Sequence, residues 1–183
     1  MNIKKIALSL ACVMAILFSA GVAKAEDLKI GVVDVNYIMS ESEAAKSLQK
    51  QIKSQSESFQ TEFQKFEREL KDMEAALGKA KADKVSEEEF NKKRAAFEKK
   101  LADTQALYQK RRQGLEKGKA DAFRTLSEAV VKETEKVASS KSIALVLTKN
   151  NVVIGAKDMD ITEEVFAAVN KALKEVKLKV ETN

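Results

Sequence analysis

The sequence predicts an α+β protein in which a long antiparallel α-helical hairpin, a coiled-coil arm, projects from a small β-containing oligomerisation body. The chain of 183 residues has no proline, so no strong helix breaker interrupts it. Its middle is rich in Ala, Glu, Lys, Gln and Leu, a composition typical of long helices. Beyond residue 26, short β-branched apolar stretches lie near the two ends, where they predict strands.

Residues 1–25 have the form of a cleaved signal peptide. Two lysines precede an apolar run over residues 6–20, and Ala23-Lys24-Ala25 has the small-x-small form of a signal-peptidase site. A retained transmembrane anchor is the weaker interpretation, because the run has about fifteen residues and a spanning helix needs about twenty. We therefore expect an exported chain that starts near Glu26.

The composition of the exported chain disfavours several functional classes. The sequence has no histidine, and its single cysteine, Cys12, lies in the leader. No thiolate or imidazole remains for nucleophilic catalysis, disulfides or soft-metal ligation, and we expect no enzyme, no metal site and no cofactor. Without residues 1–25 the chain keeps 30 Lys and Arg against 28 Asp and Glu, a net charge of +2. Such a small charge does not predict nucleic-acid binding.

The first predicted elements are a strand at about 28–35, reading LKIGVVDV, and the start of the arm at residue 41. Ser40 precedes Glu43 by three residues, the spacing of a capping box that opens a helix. Two interleaved heptad series then run along this helix. They are Ala45, Ile52, Phe59, Phe66 and Met73, and Gln49, Ser56, Phe63, Leu70 and Leu77.

The tip of the arm is predicted near residues 78–86. Gly78 favours the left-handed geometry that ends many helices, and Ser86 with Glu89 forms a second capping box. The acids Glu87 to Glu89 fit the positive end of a helix dipole better than a metal or acid site. The second helix of the arm should therefore run on from residue 86 to about residue 139.

Folding the helices about this tip predicts the contacts that hold the arm together. Facing residues should have numbers that sum to about 163–167. The apolar pairs are then Met73 with Phe90, Phe66 with Phe97, Phe63 with Leu101, Phe59 with Tyr108, and Ile52 with Leu115. With Leu70, these side chains form the predicted arm core. Gly114 and Gly118 lie opposite Leu48 and Ile52, which leaves a close helix approach or a soft point in the helix as explanations.

The predicted body comprises residues 26–40 and 124–183, and the arm residues 41–123. Beyond the arm, the second helix carries an apolar face of Phe123, Leu126, Val130 and Val137. Residues 142–148 and 151–155 read as two strands joined by a tight turn at residues 149–151. Asp160 and Glu163 should cap a final helix over about 161–176. Its inward face would be Ile161, Val165, Val169, Leu173 and Val176.

This order of elements, with KIGVVDVNYIM at the start and SIALVLTKNNVVIGAKDMDITEEVFAAV at the end, resembles the Skp/OmpH-like family of periplasmic chaperones over about residues 28–176. The resemblance implies a homotrimer whose strands join in a central body. Three arms would enclose a cavity that holds unfolded outer-membrane β-barrel proteins without ATP. Consistent with this, the sequence contains no Gly-rich phosphate loop.

Arg111 and Arg112, with Lys100 about three turns earlier, resemble a basic segment of the family that contacts lipopolysaccharide. Arginine suits bidentate phosphate binding, although a solvated basic face explains the same residues. A second basic cluster near the tip could attract an anionic membrane surface or acidic clients, although a solubilising tip is the simpler account. Its residues are Lys79, Lys81, Lys84, Lys92, Lys93 and Arg94. The rival to a chaperone is a structural coiled-coil scaffold or adaptor of the cell envelope.

Overall fold

A computed structural model describes residues 28–180, so the predicted signal peptide lies outside the described residues. The helices are α1 (Val35–Glu41), α2 (Glu43–Ala82), α3 (Glu87–Ser140) and α4 (Thr162–Ala172). Two strands, β1 (Ile30–Val33) and β2 (Leu145–Thr148), pair with each other. Helices α2 and α3 form a long antiparallel hairpin, and the strands, α1 and α4 gather around the far end of α3. The predicted fold class is confirmed.

Asp34 and Ser42, rather than Ser40, cap the first two helices. The Asp34 carboxylate accepts a hydrogen bond of 2.9 Å from the Tyr37 amide and caps the short helix α1, a helix that the sequence pattern did not predict. Ser40 lies inside α1, and its hydroxyl donates to the carbonyl of Tyr37. The cap of α2 is Ser42, whose Oγ accepts from the amide of Ala45 at 3.3 Å. The Ser40 capping box is therefore wrong by two residues.

The turn at the tip comes later than predicted. Helix α2 passes through Gly78 and ends at Ala82, because one glycine costs a helix only about 1 kcal/mol among good helix formers. The left-handed residue is Lys84, with φ of 52°. Ser86 does cap α3, since its Oγ accepts from the Glu89 amide at 3.2 Å.

The two strands are parallel, with Ile30 opposite Leu145 and Val33 opposite Thr148. Parallel strands need a long crossover, which the α2–α3 hairpin supplies. The predicted strand at 151–155 is wrong: the chain turns at Lys149–Asn151 and continues irregularly. Val153 and Ile154 are 98% and 92% exposed, so these two side chains do not pack against any other part of the described chain.

Helix α4 is shorter than predicted, and its cap differs. Asp160 accepts from the Thr162 amide at 2.9 Å, whereas no side-chain capping bond joins the first turn to the N-cap residue, Ile161. The helix ends at Ala172. Residues 173–180 continue without regular secondary structure, and we call them the C-terminal segment.

Two apolar clusters hold the fold together. The body core consists of Val33, Ile38, Val130, Ile161, Val165 and Val169. The base core, where the arm meets the body, consists of Ala44, Ala45, Leu48, Ala122, Leu126 and Val176. Helix α3 contributes to both clusters, so it joins the arm to the body. Phe123 was predicted to lie on the apolar face of this helix, but its side chain is 41% exposed.

Candidate functional site

The arm is held together by an aromatic seam between α2 and α3. The spacing of Phe59, Phe63 and Phe66 places the three rings on one helical face. The Phe63 ring meets Tyr108 edge-on with centroids 4.9 Å apart, and its centroid lies 5.8 Å from that of Phe66. Both distances lie in the range that favours aromatic pairs.

Cations from α3 complete this seam. The Lys100 ammonium lies 4.7 Å from the Phe66 ring centre and pairs with Glu69. The Arg111 guanidinium lies 5.5 Å from the Phe59 ring and 3.6 Å from a Glu62 carboxylate oxygen. Each cation therefore lies over the face of a phenylalanine ring and pairs with a glutamate of α2. This arrangement stabilises the helix pair.

The observed register differs from the predicted one. Tyr108 faces Phe63 rather than Phe59, so that pair sums to 171 rather than to about 167. The reason is the late turn at residues 83–86. Each residue added at the end of α2 shifts the α3 residue that faces a given α2 residue toward a higher number. Tyr108 is 48% exposed, and it covers the edge of the seam rather than forming its core.

The other predicted core residues of the arm are mostly half-buried. Leu115 is buried, and the partly exposed ones are Ile52, Phe59, Phe63, Phe66, Leu70, Met73, Phe90, Phe97 and Leu101. Ile52 packs on the base core, while Phe59 and Leu115 line one cavity together. Between Ile52 and Gly114, the only buried residue is Ala80. The arm is thus a thin two-helix structure without a dry core.

A cavity of about 430 Å³ opens beside the seam. Arg111 and Arg112 line it with Phe59, Phe63 and Tyr108. The Nε and Nη1 atoms of Arg111 are buried and have no hydrogen-bond partner. Lys100 is eleven residues away, about 16 Å along the helix, so the structure does not bring all three cations together.

A hydrogen-bonded cluster at the end of β1 joins two short motifs, VVDV at residues 32–35 and DIT at residues 160–162. The Asp34 amide donates to the Thr162 hydroxyl at 2.9 Å, and Lys149 lies 3.4 Å from Asp160. Hydrogen bonds from Thr162, helped by the Lys149 ammonium, hold the pKa of Asp160 below its usual value. Nearby, the Lys141 ammonium lowers the pKa of the Glu164 carboxyl. The two motifs tie β1 to the start of α4.

Within residues 28–180, no helix is both long and apolar enough to cross a membrane. Over the same residues, no group of three or more His, Cys, Asp or Glu side chains is arranged to hold a metal ion.

The family model described as outer membrane protein (OmpH-like) matches residues 29–169, which include the whole arm and both motifs. The chain belongs to the OmpH-like family. No curated protein matches it at a significant level.

A solved structure places the OmpH-like chain in a known fold. It is a crystal structure from Caulobacter crescentus CB15, described as a proposed outer membrane chaperone (OmpH-like), with a TM-score of 0.76 at 18% sequence identity. The match covers 83% of the present chain and 89% of the other. At this identity the likeness shows the shared fold: helical arms on a small strand-containing body.

Proposed function

We propose that this protein is an ATP-independent holdase chaperone of the periplasm. It would bind unfolded outer-membrane β-barrel proteins in a cavity between the arms of a homotrimer and so prevent their aggregation. No enzymatic step belongs to this function. Membership in the OmpH-like family is the observation that carries the proposal. The leader-like residues 1–25 support export, and the described function of the Caulobacter relative supports the chaperone role.

The incompleteness of the sheet supports a homotrimer. Residues 28–180 of one chain supply two strands, and an isolated pair of strands is marginal in water. Beside β2 lies a mainly apolar cavity of about 280 Å³, with Val131 and Leu145 on its lining 56% and 44% exposed. The exposed Val153 and Ile154 follow β2 directly. Apolar groups in this position would be covered where subunits meet.

The thin arm supports loose, multivalent holding of clients. Its rings and cations face one another across the seam, so its outer faces are largely charged and polar. Many weak contacts on such faces would retain an unfolded chain by their number. Release would then require no chemical cycle, because each contact breaks separately.

A lipopolysaccharide or membrane-surface contact remains a narrower part of the proposal. Arg112 is exposed beside the cavity, whereas the Arg111 guanidinium lies over Phe59 and beside Glu62 with its Nε and Nη1 atoms buried. Arg112 would therefore carry the contact, because a guanidinium forms charge-assisted hydrogen bonds with phosphate. If the contact exists, Arg112→Ala should weaken lipopolysaccharide binding in a fluorescence titration, whereas Lys110→Ala, an adjacent loss of charge, should not. Equal effects of the two variants would reduce the contact to general positive charge.

The decisive test of the holdase function is dilution of a urea-unfolded β-barrel precursor into buffer, with light scattering as the readout. We expect excess chaperone to suppress scattering without nucleotide. Unchanged aggregation at excess trimer would reject the proposal. A matched control is the same dilution with an unrelated coiled-coil protein of similar charge.

The rival function, a structural scaffold or adaptor of the cell envelope, differs in its partners. Crosslinking in cells should capture many different unfolded barrel proteins if the chain is a chaperone. Capture of one discrete folded partner would favour the scaffold.

A further inference from the structure

The C-terminal segment, residues 173–180, lies against the root of the arm, which we define as residues 43–52 and 114–126. Val176 is buried in the base core, and Leu173 and Leu178 pack against that core. This segment follows the end of α4 without regular structure, so its backbone groups bond to neighbouring side chains or to water rather than to a strand or helix.

Gln51 of α2 holds the segment with both ends of its side-chain amide. Its Nε2 donates to the Val176 carbonyl at 2.8 Å, and its Oε1 accepts from the Leu178 amide at 2.9 Å. The Gln51 amide thus bonds to the carbonyl of Val176 and to the backbone amide of Leu178, two residues later. A neighbouring β-strand would bond to the same pattern of backbone groups.

Gly118 of α3 provides the space on the opposite side. A Cβ built on Gly118 would lie 2.4 Å from the Lys179 carbonyl oxygen and 3.5 Å from a methyl carbon of Leu178. The backbone of the segment therefore passes directly over this residue, at a distance that only glycine permits. This contact accounts for Gly118 better than a close approach of the two helices or a soft point in α3.

A further hydrogen bond connects the C-terminal part of the chain to the first turn of α2. The Asn170 side-chain oxygen, in α4, accepts from the Glu43 amide at 2.8 Å. From Asn170 to Lys179, the C-terminal part of the chain thus contacts α2 at Glu43 and Gln51 and α3 at Gly118. Because α4 is packed into the body core through Val165 and Val169, these contacts connect the body to both helices of the arm.

We propose that residues 173–180 form a strap that locks the root of the arm onto the body and keeps the two arm helices from separating there. Above the root, the arm has almost no buried side chains, and its helices are joined mainly by half-buried rings and ion pairs. The strap therefore determines how rigidly the whole arm is held. This inference concerns the fold alone and is independent of the proposed chaperone function.

The test is hydrogen–deuterium exchange of the exported protein, compared with the variant Gly118→Ala. Alanine favours helix by about 1 kcal/mol over glycine, so α3 itself should not weaken while the added methyl group displaces the strap. We expect amides of residues 173–180 to exchange at least about tenfold faster, as loss of the Gln51 bonds predicts. Amides of the root should also exchange faster, and those of the body core should not change.

Gly78→Ala is the matched control, because a Cβ at Gly78 meets nothing within 4 Å. It makes the same substitution in open space on α2 and should leave both strap and root unchanged. Gln51→Ala is a second variant, which removes the polar contacts without a clash and should give the same pattern as Gly118→Ala.

Three results would overturn the proposal. The first is unchanged exchange of residues 173–180 in both Gly118→Ala and Gln51→Ala. The second is faster exchange in the strap with an unchanged root, which would make the segment a passive tail. The third is equal acceleration in Gly78→Ala, which would trace the effect to the helices. None of these measurements involves a client, so failure of the holdase assay would leave the test of the strap intact.

Discussion

Phe63 is the central ring of the seam, and Phe63→Ala tests whether the aromatic stripe holds the arm together. A fully buried phenylalanine costs about 3 to 5 kcal/mol when truncated to alanine. Phe63 is half-buried, and its ring contacts Tyr108 and Phe66. We therefore expect a loss of about 2 kcal/mol in the free energy of unfolding. For a chain of this size that loss corresponds to a fall of about 4 to 8 °C in Tm.

The assay is urea and thermal unfolding followed by far-ultraviolet circular dichroism, with client binding measured on the same samples. Phe63→Leu is the control, because it keeps most of the apolar volume and loses only the ring contacts. Its loss should be below about 1.5 kcal/mol. Unchanged unfolding of Phe63→Ala together with lost client binding would show that the ring faces clients rather than the second helix.

Three further predictions concern the base, the body and the subunit contact. Leu48→Ala should cost about 2 to 5 kcal/mol, because Leu48 is fully buried; a smaller loss than for Phe63→Ala in the same urea assay would contradict the packing described. The lowered pKa of Asp160 stabilises the fold fully above its unfolded pKa of about 4, and this stability is lost as pH falls through the folded pKa. Asp160→Asn should therefore lose less stability than the wild type between about pH 6 and about pH 3, and equal losses of urea midpoint would refute the linkage. Val153→Asp should lower the oligomer mass in light scattering, whereas an unchanged mass would remove Val153 from the subunit contact.

The hairpin could be predicted from sequence because its signals are local and repeated. The heptad spacing of Phe59, Phe63 and Phe66 recurs over several turns, and Ser86 marks the start of α3 by a bond within one turn. The exact register could not be predicted, because it depends on where the turn falls. Gly78 continues a helix, and Lys84 takes the left-handed position, so the partner of Phe63 moved along α3.

The details of the body depend on contacts distant in sequence, which the pattern does not contain. Parallel pairing of β1 with β2 joins residues more than one hundred positions apart, and a turn-like KNN sequence favoured a hairpin instead. The strap depends on Gln51, one glutamine among several on α2. Gly118 was the one signal for it, but a glycine inside a long helix does not by itself predict a close contact, because a Cβ at Gly78 in α2 would meet nothing within 4 Å.

Around the candidate site, sequence could identify the cations but not their partners. Lys100 and Arg111 looked like an exposed basic face, yet each lies over a phenylalanine ring and pairs with a glutamate of α2. These cation–ring and ion pairs depend on the register of α2 against α3. A predicted register that is wrong by a few residues therefore does not identify them. Arg112 remains the exposed cation of the three.

Native mass spectrometry, with and without a urea-unfolded β-barrel precursor, would show whether the arms of several copies enclose one unfolded client. We expect the mass of three chains for the protein alone, and the mass of three chains plus one precursor after mixing, without nucleotide. A monomer under both conditions would contradict this expectation, because a single thin arm on a two-stranded body cannot enclose a client.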